Sequence, residues 1–223
     1  RDTDRSRGLG DVYKRQDNCR VSDLSVSSDN LTFTYEAKSL PYPIDTSYYD
    51  NEKHTQADAL SVIPFMDEMN YEGLSVSGLS DGYYGLTIGG EFIGRFTARE
   101  LERGINMALL QNTPQYKQAM KIRQMNEERW LKERKMREFY WVEYNLMRKT
   151  GMLWACNEAA VDTLRKYRPH DIFLQWNGDL WLQYMHKGIR EDCVNEQQDL
   201  VNQIYEQNKP IPLRIEIKKF TDL

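Results

Sequence analysis

Acid–base, nucleophilic and metal chemistry need reactive side chains within reach of partners, and the three histidines of this 223-residue chain are the first to test. His54 lies in a polar stretch, His170 follows a proline ahead of an apolar run, and His186 precedes Gly188. A serine hydrolase that carries its base as Asp-x-x-His needs an aspartate three residues earlier. Those positions hold Asn51, Tyr167 and Gln183. No second histidine stands at ligand spacing, so no metal is expected. His186, near the end of a helical run, reads as a complement to the helix dipole. The carboxylates of MDEMNYE, Asp67, Glu68 and Glu72, are close enough to raise a glycosidase pair, but acidic loop residues read as solvated. Cys19, Cys156 and Cys193 are scattered, with no C-x-x-C, and read as isolated thiols; a single disulfide among them stays open for an exported protein. There is no G-x-S-x-G elbow and no phosphate loop, and the glycines of GGEFIG belong to a hairpin rather than to a strand-to-helix turn. No catalytic, cofactor-binding or metal-ligating residue is assigned, and no cofactor is expected.

The elements around these residues are easier to read. CRVSDLSVSSDNLTFTYEA alternates apolar and polar residues on both sides of Ser28, Asp29 and Asn30, the pattern of two half-buried strands and a turn. Residues 41–60 read as a long loop, opened by Pro41 and Pro43. Leu74, Val76 and Leu79 suggest a short strand. Tyr84, Leu86 and Ile88 then lead through Gly89-Gly90 to Phe92 and Phe96, a hairpin whose turn needs positive φ at both glycines. Thr97-Ala98-Arg99-Glu100 is a capping box flanked by Phe96 and Leu101 at staple spacing. A stripe of Leu101, Ile105, Ala108 and Leu109 predicts a helix to about Leu110. Thr113 and Pro114 then open a long helix over residues 114–149. Shorter helical stretches follow, parted by Gly151, by RPHD at 168–171 and by Gly188. LRIEIKK alternates Leu213, Ile215 and Ile217 and can return a strand to the sheet.

The fold class read from this pattern is α+β: a small antiparallel sheet and hairpin region, then a long helix and shorter helices. The expected organisation is β-rich over 17–96, helical over 97–212, and a returning strand over 213–220. A net charge of −4 makes sequence-independent nucleic-acid binding a poor reading. The dense charges of the long helix read as a solvated face, with Glu128–Lys132 and Glu133–Arg137 in the favourable i,i+4 order. No apolar run approaches the roughly 20 residues of a membrane span.

Two resemblances bear on identity. The stretch SRGLGDVYKRQ, residues 6–16, resembles the translation of a transposase adapter used in preparing sequencing libraries. Residues 1–16 are therefore expected to be non-native and disordered, and the remainder to be the C-terminal part of a longer protein. The run LSVSGLSDGYYGLTIGGEFIGRFTARELERGINMALLQNTPQYKQAM, with its Y-x-L-x-I-x-G hairpin, F-T-A-x-E-L step and N-T-P-Q-Y-K-Q-A helix start, resembles the C-terminal region of bacterial SGNH/GDSL-type hydrolases. That resemblance implies a three-layer α/β/α catalytic domain with a Gly-Asp-Ser nucleophile and an Asp-x-x-His pair, in a secreted or periplasmic parent. None of those catalytic blocks stands in this sequence, so the α/β/α domain is expected to be missing and no catalytic residue is carried over.

Two functions follow as expectations. In the first, the parent is a serine esterase acting on acylated glycans or similar esters, and this chain is its inert C-terminal part, partnered by the missing catalytic domain. In the second, it is a non-enzymatic accessory module that presents Tyr42, Tyr48, Tyr49, Trp176 and Trp181 as an aromatic binding surface. Burial of those side chains would remove that surface, and exposure in one patch would favour it.

Overall fold

The computed structural model describes residues 17–27, 30–46 and 53–220. The adapter-like stretch, the turn residues Ser28 and Asp29, and Tyr48 and Tyr49 lie outside them. The architecture is α+β. Two compact units divide it: described residues up to Lys121 together with those from Asn208 form the first, and Ile122–Gln207 the second.

In the first unit, β1 (Cys19–Val26) and β2 (Asn30–Ala37) pair antiparallel, as the alternation predicts, with an irregularity between Ser22 and Ser25. Asp23 adopts φ 52° there. A 3-10 helix covers Gln56–Ser61, so the expected loop over 41–60 ends in structure of its own. The short α1 (Phe65–Glu68) and β3 (Gly73–Leu74) follow. β4 (Tyr83–Ile88) and β5 (Glu91–Thr97) form the Gly89-Gly90 hairpin, with φ 59° and 87° at its two glycines. The last strand, β7 (Leu213–Lys219), enters between β2 and β4, giving the order β1-β2-β7-β4-β5 with every pairing antiparallel. The strand latest in sequence is therefore central, and it alone joins the two hairpins. Leu31 and Phe33, Leu213, Ile215 and Ile217, and Tyr84, Leu86 and Ile88 face one side and form the core with Leu101 and Met107.

The helix expected to run to about Leu110 is shorter. α2 (Ala98–Arg103) starts at the capping box, where Thr97 Oγ1 accepts from Glu100 N at 3.2 Å and Glu100 Oε2 accepts from Thr97 N at 2.7 Å. Gly104 ends it at φ 91°, ψ 140°, outside any helical conformation. β6 (Ile105–Asn106) then pairs with β3, and a 3-10 turn covers Met107–Leu109. Ile105 and Leu109 thus belong to no helical stripe, and Leu109 is exposed. Of that stripe Leu101 alone lies in α2; Ala108 is buried from the 3-10 turn, and Ile105 is taken by the strand pairing. Val76 and Leu79 likewise lie outside β3 and pack on the core from irregular backbone.

α3 (Pro114–Val142) begins with Pro114 at its first position; Thr113 Oγ1 accepts from Tyr116 N at 3.3 Å. The helix expected over 114–149 departs from α geometry after Val142, where a π-helical turn covers Glu143–Met147 and Arg148 N bonds Glu143 O five residues back. In the second unit come α4 (Glu158–Tyr167), α5 (Ile172–Tyr184) and α6 (Lys187–Gln207). Gly188 sits in the first turn of α6 rather than between helices, the break falling at Met185 and His186. The core there gathers Phe139, Val142 and Met147 with Leu164, Leu174, Trp181 and Cys193. The expected boundary at residue 97 is thus a change of secondary structure, not of compact unit; residues 97–121 belong with the sheet.

Candidate functional site

Glu72, which sequence placed among solvated acids, is half-buried and joins three elements of the first unit; Asp67 and Glu68 are exposed as expected. Its Oε1 accepts from the Tyr35 hydroxyl of β2 at 3.0 Å, and both its oxygens lie 3.3 Å from Gln115 Nε2 in the first turn of α3. Its backbone N–H donates to Asn106 Oδ1 of β6 at 2.9 Å. Asn106 Nδ2 donates in turn to Met66 O and Asn70 O. Asn70 clamps the irregular segment, accepting from Tyr42 N at 2.8 Å and donating to Tyr42 O at 2.9 Å. Desolvation holds the Glu72 carboxyl above the ordinary carboxylate range, against the hydrogen bonds of Tyr35 and Gln115. Burial, with Glu72 beside it, pushes the Tyr35 hydroxyl well up, and burial also raises the Cys19 thiol. A desolvated carboxyl can take up a proton from solvent while the tyrosine beside it keeps its own.

The second polar centre is Glu143, only 1% exposed. Its Oε1 accepts from Trp181 Nε1 at 2.8 Å and its Oε2 from the backbone N–H of Trp154 at 2.8 Å. Trp154 holds φ 63°, a conformation costing on the order of 1 kcal/mol for a bulky residue. The carboxylate bond fixes it there, with the exposed indole edge-to-face against Tyr140 and Tyr144. Sequence reading passed over Glu143. The signal was a glutamate four residues from Phe139 and three from Leu146, on the apolar stripe itself.

The remaining sequence candidates are dispersed. His54 and His170 are exposed. His186 lies two residues past α5, its Nδ1 3.3 Å from Cys156 Sγ, a contact the dipole reading did not foresee. All three cysteines are free thiols, and Cys193 is buried, accepting from the Tyr184 hydroxyl at 3.8 Å. Burial and that thiol push Tyr184 up to about 12. Among the described residues no cluster of His, Cys, Asp or Glu could hold a metal ion, and no helix is long and apolar enough to cross a membrane. The charges of α3 pair largely among themselves: Arg123 with Glu127, Arg129 with Glu133, Arg134 with Glu138, and Lys132 with Glu128 and Glu196. Arg137 lies instead over the Trp130 ring, since Glu133 is taken by Arg129. Of the aromatic candidates, Trp181 is 0% exposed and belongs to the core, whereas Tyr42 is exposed and meets Phe65 edge-on. Trp176 is 67% exposed and stacks edge-to-face on the exposed Phe173, which meets Trp141 with centroids 5.2 Å apart.

Residues 120–209 match the family described as the diltiazem deacetylase C-terminal helical domain, a span that coincides with the second unit. The fold matches a solved gut microbial diltiazem-metabolizing enzyme with a TM-score of 0.84 and 36% identity, over 91% of this chain and 46% of that one. No curated protein matches. The chain therefore spans about half the length of its solved relative. It is similar to an esterase-related C-terminal region, the helical unit most specifically.

Proposed function

We propose that this chain is the non-catalytic C-terminal part of a serine ester hydrolase of SGNH/GDSL type, one that removes acyl groups from acylated glycans or similar esters. The observation that carries the reading is the match of the helical unit to a domain named for deacetylation, joined to a fold match that takes in the sheet as well. Removing an acetyl group from an ester needs a nucleophile, a base and donors for the developing oxyanion. In this reading the catalytic part of the parent supplies all three, and the sheet and helices serve as its scaffold. Residues 17–223 alone are expected to hydrolyse an aryl acetate no faster than buffer. Turnover that a serine-directed inhibitor abolishes would place a nucleophile in this chain and end the proposal.

The exposed Trp176 and Phe173, the latter against the partly buried Trp141, favour a second reading, an accessory module with an aromatic binding surface. Trp181 has no part in it, being core. That reading expects retarded migration in gels holding an acetylated polysaccharide, relieved by Trp176→Ala. Migration independent of the polysaccharide leaves the scaffold reading alone.

A further inference from the structure

Around Glu72 one buried acceptor is met by no donor. The carboxylate brings two oxygens and the Gln115 carboxamide a third. Against these stand the Tyr35 O–H and the two N–H of Gln115 Nε2, which lies 3.3 Å from both carboxylate oxygens and cannot reach back to its own carbonyl oxygen. Gln115 Oε1 is buried with no partner, on a residue only 3% exposed. An orphan acceptor shut off from water is costly, and a nitrogen straddling two oxygens at 3.3 Å makes two long bonds rather than one good one. The cluster is one proton short.

We propose that Glu72 is a proton-operated latch: the protonated carboxyl donates its O–H to Gln115 Oε1, while Gln115 Nε2 and the Tyr35 hydroxyl donate to the remaining carboxyl oxygen. The proton comes from solvent and forms an O–H bond on one carboxylate oxygen; no other bond breaks and nothing is oxidised. A turn of the Gln115 carboxamide closes a two-bond ring between acid and amide. The buried orphan then has its donor, and no charge is left in a desolvated site. Glu72 is faced by Tyr35 from β2, Cys19 from β1, Asn106 from β6 and Gln115 from α3, none of them a cation. Asp17 and Lys38 bear on Cys19 with opposite signs. Tyr35 keeps its proton throughout, its hydroxyl being raised by burial. Acid therefore tightens the junction of β2, β6 and the start of α3.

NMR of the labelled chain tests this by following the Glu72 side-chain carboxyl carbon and the Gln115 side-chain amide through a pH titration. Glu72 is expected to titrate above the exposed glutamates, with the Gln115 signals moving at the same midpoint. In Glu72→Gln those Gln115 signals lose their pH dependence. A Glu72 midpoint at or below that of exposed glutamates, or a Gln115 amide that does not follow it, overturns the latch. Tyr35→Phe is the second arm, in case Glu72→Gln fails to fold. It removes a donor from the ionised form and should raise the midpoint further; an unchanged or lower midpoint also overturns the proposal.

Discussion

Each unit encloses a glutamate with no cation among its hydrogen-bond partners, and the two are accommodated in opposite ways. Glu143 meets one N–H at each oxygen, both at 2.8 Å, so each acceptor has its own donor. Glu72 meets one hydroxyl and one shared amide, with a third acceptor left unpaired beside it. Burial alone does not decide what a carboxyl does; the count of donors does. The elements differ in the same sense. Glu143 and its partners lie within 39 residues of one another in the helical unit, whereas the sheet depends on a strand that arrives after all the others.

The largest expected effect comes from ending the chain before Leu213. Losing β7 unpairs β2 and β4 and removes the buried Leu213, Ile215 and Ile217, each worth about 1.5–3 kcal/mol of burial, from between them. That sum is comparable with the stability of a whole domain. Dispersed NMR signals from residues 17–121 should collapse while helical circular dichroism largely persists; a sheet unit that stays folded would show that the two hairpins need no bridge. Next comes Glu143→Ala, which strands the Trp181 and Trp154 N–H groups and should cost about 2–5 kcal/mol in urea unfolding. Glu143→Gln, keeping shape but offering one acceptor for two donors, should cost about 1–3 kcal/mol. A neutral outcome for both would remove the contrast with Glu72. Thr97→Ala opens the capping box of α2 and should cost about 1 kcal/mol by the same measurement. Its bonds to Thr97 hold the Glu100 carboxyl below its ordinary range, so that cap is fully present at neutral pH and fades as pH falls.

Local chemistry was legible where it was self-sufficient. Thr97, Glu100 and Gly89-Gly90 announce the cap and the hairpin because each motif satisfies its own backbone groups. The alternation of Leu213, Ile215 and Ile217 announced a strand, but not its place at the centre of the sheet, which long-range pairing decides. Gly104 stopped a helix whose periodicity ran on, and the next two residues, Ile105 and Asn106, pair with β3 instead. Neither glutamate centre was legible. Glu72 looked like its exposed neighbours Asp67 and Glu68 until Tyr35 and Gln115, 37 and 43 residues away, closed over it. Glu143 hid among the dense charges of its helix, distinguishable only by the face it occupies.

The smallest effect sharpens the comparison most. Burial raises the Glu72 carboxyl in the folded chain above its unfolded value, so the folded state holds the proton over a range where the unfolded state has released it. Whatever stability this confers is complete below the unfolded value and is lost as pH rises through the folded one. Glu72→Gln keeps the carboxamide shape with no proton to lose. The variant should therefore gain on the parent chain as pH rises from acid to neutral, and the gap between their thermal midpoints should level off once Glu72 is fully ionised. The carboxylates Asp23, Glu100 and Asp179, all held below their ordinary range by hydrogen bonds, act in the other direction and are common to both proteins. Their contribution cancels in the difference. A gap that stays constant with pH would mean that Glu72 titrates alike in both states, and Glu72 and Glu143 would then be two versions of one solution.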